Sequence, residues 1–230
     1  MTITTDEVNT TDEVSQVAEE TAADETAAQT ATQTAASHAD HQATSTGLSH
    51  NKLLMWMFLG SECLLFGALI STYLLLRERL PEGEIGPNDV FDIPFTSVSS
   101  FVLLLSSLTM VLALANMNRG DERRFRIWLV CTALLGSIFI GGQAYEFNAF
   151  YNEGLGYTTN IFSSAFFSLT GFHGAHVTIG IIMLMSLLVL NMRGRLGPER
   201  AETVEIVGLY WHFVDIVWIL IFTIVYLFPQ

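Results

Sequence analysis

Basic side chains are scarce: ten Lys and Arg stand against 23 Asp and Glu in 230 residues, for a net charge of -13. Nowhere do they form the basic face that nucleic-acid phosphates require, which excludes that class of partner. Charge of either sign is thin as well. With 14% charged and 50% hydrophobic residues, the chain is too sparsely charged for an ordinary soluble domain. Only two cysteines occur, Cys63 and Cys131, both inside apolar runs where a thiol behaves as a small hydrophobe, so no disulfide framework is indicated. Proline is missing from the long apolar stretches: Pro81, Pro87, Pro94, Pro198 and Pro229 fall between them or at their ends.

The first 49 residues carry nine acids, no Lys or Arg and no aromatic residue. Such a segment cannot bury enough apolar surface to offset its ordering entropy and is read as a disordered acidic tail. It lacks the basic start and apolar core of a signal peptide. His38 and His41 within it read as solvated rather than metal-bound.

Residues 50 to 230 retain 14 acids against ten bases and contain five long apolar segments, at about 53–76, 95–117, 127–150, 161–191 and 206–228. Each approaches or exceeds the roughly 20 residues a helix needs to cross the hydrocarbon. The expected fold is all-α, a membrane-integral bundle of five transmembrane helices behind the acidic tail. Basic residues mark the cytoplasmic side. An inner N-terminus places Lys52, four arginines of 119–126 and three of 193–200 inside, leaving Arg77 and Arg79 outside with the acidic loop of Glu82, Glu84, Asp89 and Asp92. The chain is therefore expected to be multi-pass in the plasma membrane, N-terminus cytoplasmic and C-terminus outside.

Ionisable groups within a span are costly and count as functional or packing hypotheses. Five stand out: Glu62, His173, His176, His212 and Asp215, with Glu146 and Gln143 nearer the outer end of the third span. At about 1.5 Å rise per residue, the five share one layer closer to the inner side. His173 with His176, and His212 with Asp215, stand three residues apart, so each pair projects from one helical face. The expectation is a buried polar cluster in which the imidazoles hold Glu62 and Asp215. Buried groups that merely lock helix packing are the plainer reading. A haem b pair, His212 with His173 or His176, and a His/Asp/Glu metal site are the sharper ones. Gly171, Gly174 and Gly180 are candidates for close helix approach. Tyr210 and Trp211 sit near the expected inner interface. No nucleophile, phosphate loop or catalytic triad is visible.

Three strings resemble a known family: QAYEF at 143–147, FFSLTGFHGAHVTIG at 166–180 and YWHFVDIVWILIF at 210–222. With FLGSECLLFGA around Glu62, they are similar, in order and spacing, to subunit III of the haem-copper terminal oxidases, which include cytochrome c and quinol oxidases. The resemblance spans roughly residues 50–230 and implies the shorter, five-helix form. It implies a bundle packed on oxidase subunit I, near subunit II, with neither haem nor copper of its own. Those cofactors belong to the partner subunits, and phospholipid is held between helices. Such a subunit supports proton uptake and sustained oxygen reduction without catalysing the reaction. Glu62, His173, His176, His212 and Asp215 then become buried structural and lipid-cleft positions, and Glu146 the motif acid of the third helix. A subunit associated with nitric oxide reductase fits the same strings. A proton or ion transporter using Glu62 and Asp215 is the alternative of another class, although transporters usually show broken helices at midplane. One Lys against nine Arg, with the acidic tail, is compatible with a high-salt organism.

Overall fold

The computed structural model describes residues 49–77 and 92–227. The tail with His38 and His41, most of the acidic outer loop and Arg79 lie outside the described residues. The chain divides into two compact units, residues 1–54 and 55–230. Of the first, only residues 49–54 are described, forming the opening turn of a helix in which Ser49 O accepts from Leu53 N at 3.0 Å.

Five helices long and apolar enough to cross a membrane follow one another: α1 His50–Arg77, α2 Ile93–Asn118, α3 Glu122–Asn152, α4 Ile161–Met192 and α5 Ala201–Phe222, the last prolonged by a π-type turn at Thr223–Leu227. No strand occurs among the described residues. Helices α3 and α5 begin about five residues before the expected spans. Their first turns, with Glu122, Arg123 and Arg124 or Glu202 and Glu205, are polar and extend beyond the hydrocarbon, so hydropathy marks only the later part of each helix.

Local signals explain the helix ends. Asp92, Asp121 and Asn160 cap α2, α3 and α4 by accepting from backbone N–H groups three residues on, and Asn160 forms a reciprocal box with Ser163. Pro94 sits in the first turn of α2, where its missing N–H costs nothing. Helices α2 and α4 end at Gly120 and Gly194, whose φ values of 75° and 67° allow the chain to turn away.

Within the second unit, α2 packs on α3, α3 on α4, α4 on α5 and α5 back on α2, closing a four-helix ring. Its centre is aromatic: Phe139 and Trp218 meet at 4.8 Å, and Phe166 touches Phe150, Phe162 and Tyr226. Helix α1 joins the ring through a narrow seam. Its buried residues, Leu59, Phe66 and Tyr73, recur every seven positions, the repeat of a single helix–helix stripe. Phe66 meets His176 on α4, and Phe58 stacks on Tyr210 of α5. On the far side of α1, Leu64 and Met57 are exposed, as lipid-facing residues are.

Candidate functional site

The residues singled out from the sequence fall into three separate polar groupings. The first links α1 to α4. Glu62 Oε2 lies 3.2 Å from His176 Nε2, and His176 Nδ1 lies 2.7 Å from the Phe172 carbonyl, which fixes Nδ1 as the protonated nitrogen. In a neutral imidazole Nε2 is then an acceptor, so the contact with Glu62 carries a proton on either the carboxyl or the second ring nitrogen. Glu62 and His176 are thus arranged to share one proton. Both side chains retain about one seventh of their surface exposed. Tyr210 Oη donates to the His176 carbonyl at 3.0 Å and ties α5 to the same place.

His173 does not join this pair. Residues three apart differ by about 60° around a helix, so when His176 faces α1, His173 turns into the ring. It stacks on Trp218 at 4.8 Å and meets Phe139 and Phe66 edge-on. It is fully buried, and neither ring nitrogen has a hydrogen-bond partner. It packs here as an aromatic residue.

The second grouping lies between α2 and α5. His212 Nδ1 is 2.6 Å from Ser107 Oγ. Asp215 is buried and its Oδ1 has no partner. The expected single cluster, with Glu62 and Asp215 both held by imidazoles, is therefore divided. Glu62 meets His176, whereas His212 meets Ser107, which the sequence reading passed over, and Asp215 accepts from neither imidazole. The imidazoles diverge because they sit on different faces of two helices.

Glu146, expected near the outer end of the third span, forms the third grouping. The residue is buried between α2, α3 and the end of α5, accepting from Thr96 at 2.6 Å and from Tyr226 at 3.3 Å. Its position on α3 faces the ring, and the π-type turn at Thr223–Leu227 brings Tyr226 back over it. One turn away, Gln143 donates from Nε2 to the Thr170 carbonyl at 3.0 Å.

The glycines separate in the same way. Any Cβ at Gly174 would lie 2.7 Å from Gln143 Oε1, and one at Gly180 2.8 Å from Trp211. Gly171 has open space around it and mediates no close approach among the described residues. Gly136, not anticipated, faces the opposite edge of Trp211 at 2.6 Å. Trp211 is thus wedged between α3 and α4 while its Nε1 donates to Ser106 on α2 at 3.0 Å; Trp218 repeats the donation to Ser100 at 2.9 Å. Serines every six or seven residues along α2, opposite tryptophans seven apart on α5, were the available signal. It was masked because isolated serines are common in membrane helices.

The chain was next compared with known proteins. A family model for cytochrome c oxidase subunit III matches residues 29–230. The chain belongs to this family. Among its relatives, cytochrome c oxidase subunit 3 of Bacillus sp. strain PS3 is 40% identical over 178 residues, covering 77% of this chain and 86% of that protein. Quinol oxidase subunit 3 of Bacillus subtilis strain 168 is 38% identical over 197 residues, covering 83% and 96%. The probable quinol oxidase subunit 3 of Staphylococcus saprophyticus is 42% identical over 178 residues, covering 77% and 88%. As a subunit III, the chain is part of a respiratory haem-copper oxidase complex and has partner subunits. Five apolar helices and bacterial relatives make it a multi-pass protein of the plasma membrane. In subunit III terms, the three groupings tie α1 to α4, α2 to α5, and α2 to α3 and the end of α5.

Proposed function

We propose that this subunit III contains no redox centre, packs mainly against the haem- and copper-bearing subunit I with subunit II nearby, and supports proton uptake during sustained oxygen reduction. The observation behind this is the Glu62–His176 pair, two ionisable side chains within the apolar spans that stay partly exposed. Ionisable groups at such depth mark proton or ion routes more often than they mark packing alone. Phospholipid is held beside α1, whose seam to the ring is narrow and whose outward face is apolar. Cytochrome c is the proposed electron donor, with quinol the alternative; the relatives bear both names. Seven arginines at the α2–α3 and α4–α5 connections favour a cytoplasmic N-terminus.

Purification of the tagged chain in mild detergent, with a reduced-minus-oxidised spectrum, tests the reading. A haem-bearing partner that co-purifies and keeps the haem after separation supports it. A chain that purifies alone, coloured or colourless, rejects it. Glu62→Gln in the complex should then slow turnover at high pH, where proton supply limits; unchanged turnover across pH would remove Glu62 from the proton route.

A further inference from the structure

Three hydroxyls along α2 share one pattern. Ser100 Oγ donates to the Thr96 carbonyl at 2.7 Å and accepts from Trp218 Nε1 at 2.9 Å. Ser106 Oγ donates to the Leu103 carbonyl at 2.5 Å and accepts from Trp211 Nε1 at 3.0 Å. Both directions are fixed, because an indole N–H only donates and a hydroxyl has one proton to give. Thr96 Oγ1 is placed like them, 3.0 Å from the Asp92 carbonyl on its own helix and 2.6 Å from Glu146 Oε1 across the ring. Its single proton serves one of these two oxygens. With a carboxylate at Glu146 the proton goes there and the Asp92 carbonyl loses that hydroxyl. A charge then stays buried, at 5% exposure, with two hydroxyls as its hydrogen-bond partners and another acid, Asp92, near enough to oppose it. Such a charge is costly inside an apolar helix bundle. With a proton on Glu146 every bond is made: Oε1–H donates to Thr96, Thr96 donates to the Asp92 carbonyl, and Tyr226 Oη donates to Oε2 at 3.3 Å.

We propose that Glu146 holds a proton as a neutral carboxylic acid, and that this proton latches the start of α2, the later part of α3 and the end of α5 together. The inference goes beyond the accessory-subunit reading and does not depend on it. Asp92 of α2, whose carboxylate caps Phe95 N, and Tyr226 of the π-type turn are the titratable groups facing Glu146. Gln143, on its own helix, is held by the Thr170 carbonyl; α4 presents Phe166 to Tyr226, and Tyr73 of α1 lies near that tyrosine. The turn at Thr223–Leu227 carries Tyr226 over the acid, so it is the part freed when the proton leaves. The latch therefore contributes stability while the acid is protonated and loses it as pH rises through its ionisation.

Infrared spectra of the purified complex, recorded from low to high pH in wild type and Glu146→Gln, test the protonation. The wild type should show the C=O stretch of a neutral carboxylic acid, sensitive to deuterium exchange and lost at high pH. Glu146→Gln should lack that band, while bands from other buried acids are common to both proteins and cancel. Tyr226→Phe keeps the acid and removes the donor to its C=O, so the band should persist at higher frequency; this variant decides the question where Glu146→Gln fails to assemble. Amide exchange of residues 223–227, corrected for the base-catalysed intrinsic rate, should rise by up to about tenfold per pH unit once the acid ionises. In Glu146→Gln it should stay flat. Neutral-acid bands identical in wild type and Glu146→Gln, or unmoved by Tyr226→Phe, would make Glu146 a carboxylate that takes the Thr96 proton. Equal pH profiles of exchange in wild type and Glu146→Gln remove the latch.

Discussion

Glu62 on α1 and His176 on α4 meet at 3.2 Å, a side-chain contact across two helices. Helix α1 is otherwise seated largely through apolar side chains such as Leu59, Phe66 and Tyr73, so this contact is a polar tie within an apolar seam. A double-mutant cycle with Glu62→Gln and His176→Ala, read by unfolding in mild detergent, should give a coupling of about 0.6–1.7 kcal/mol. Strict additivity would show that the two side chains do not act on each other.

His173 presents the opposite case. Both ring nitrogens are buried without partners, while the ring stacks on Trp218. His173→Phe keeps the stacking and removes two unpaired polar atoms, so it should raise stability by roughly 1–3 kcal/mol. His173→Ala opens a cavity and should lower it by a similar amount or more. Thermal unfolding of the two variants checks the contrast; a clear loss in the Phe variant would mean that the imidazole has a polar role.

Glu146 is where α2, α3 and the end of α5 are pinned together. Tyr226→Phe removes one of its two bonds and should cost about 0.5–1.5 kcal/mol. Glu146→Leu removes the partner of both the Thr96 and Tyr226 hydroxyls and should cost more than the tyrosine change. Chemical unfolding of the two variants supplies the order, and equal losses would place the stabilisation on Tyr226 alone.

Trp211 makes the glycines unequal. Alanine at Gly180 or Gly136 forces a Cβ to within 3 Å of the indole and should destabilise by about 1–3 kcal/mol, since a side chain wedged between two helices has nowhere to go. Gly171→Ala meets open space and should be neutral or slightly stabilising through helix propensity. Melting temperatures of the three alanine variants distinguish them; a large loss at Gly171 would show that a partner helix or lipid already fills that space.

How much of this was legible in advance differs between levels. Five spans, their order and their proline-bounded ends followed from hydropathy, because the hydrocarbon imposes one requirement on every residue of a span: low polarity over about 20 positions. The placement of Glu62, His173, His176, His212 and Asp215 inside the apolar helices followed too. Family motifs carried the resemblance to subunit III. The pairing of these groups was not legible. Ser107, Ser106, Thr96 and Tyr226 are ordinary residues for a membrane helix, and nothing local distinguishes a serine that bonds the indole of Trp211 from one that bonds its own backbone, as Ser71 does.

The sequence by itself determined that the chain crosses the membrane five times and which ionisable side chains lie at depth, because both are properties of one helix read along its own axis. Only the tertiary structure decided that His176 faces Glu62 while His173 faces Trp218, that His212 meets Ser107 and that Glu146 turns inward. Those outcomes depend on the rotation of each helix about its axis. That rotation is set jointly by all neighbours in the ring, through wedges such as Trp211 against Gly136 and Gly180, and no single helix encodes it.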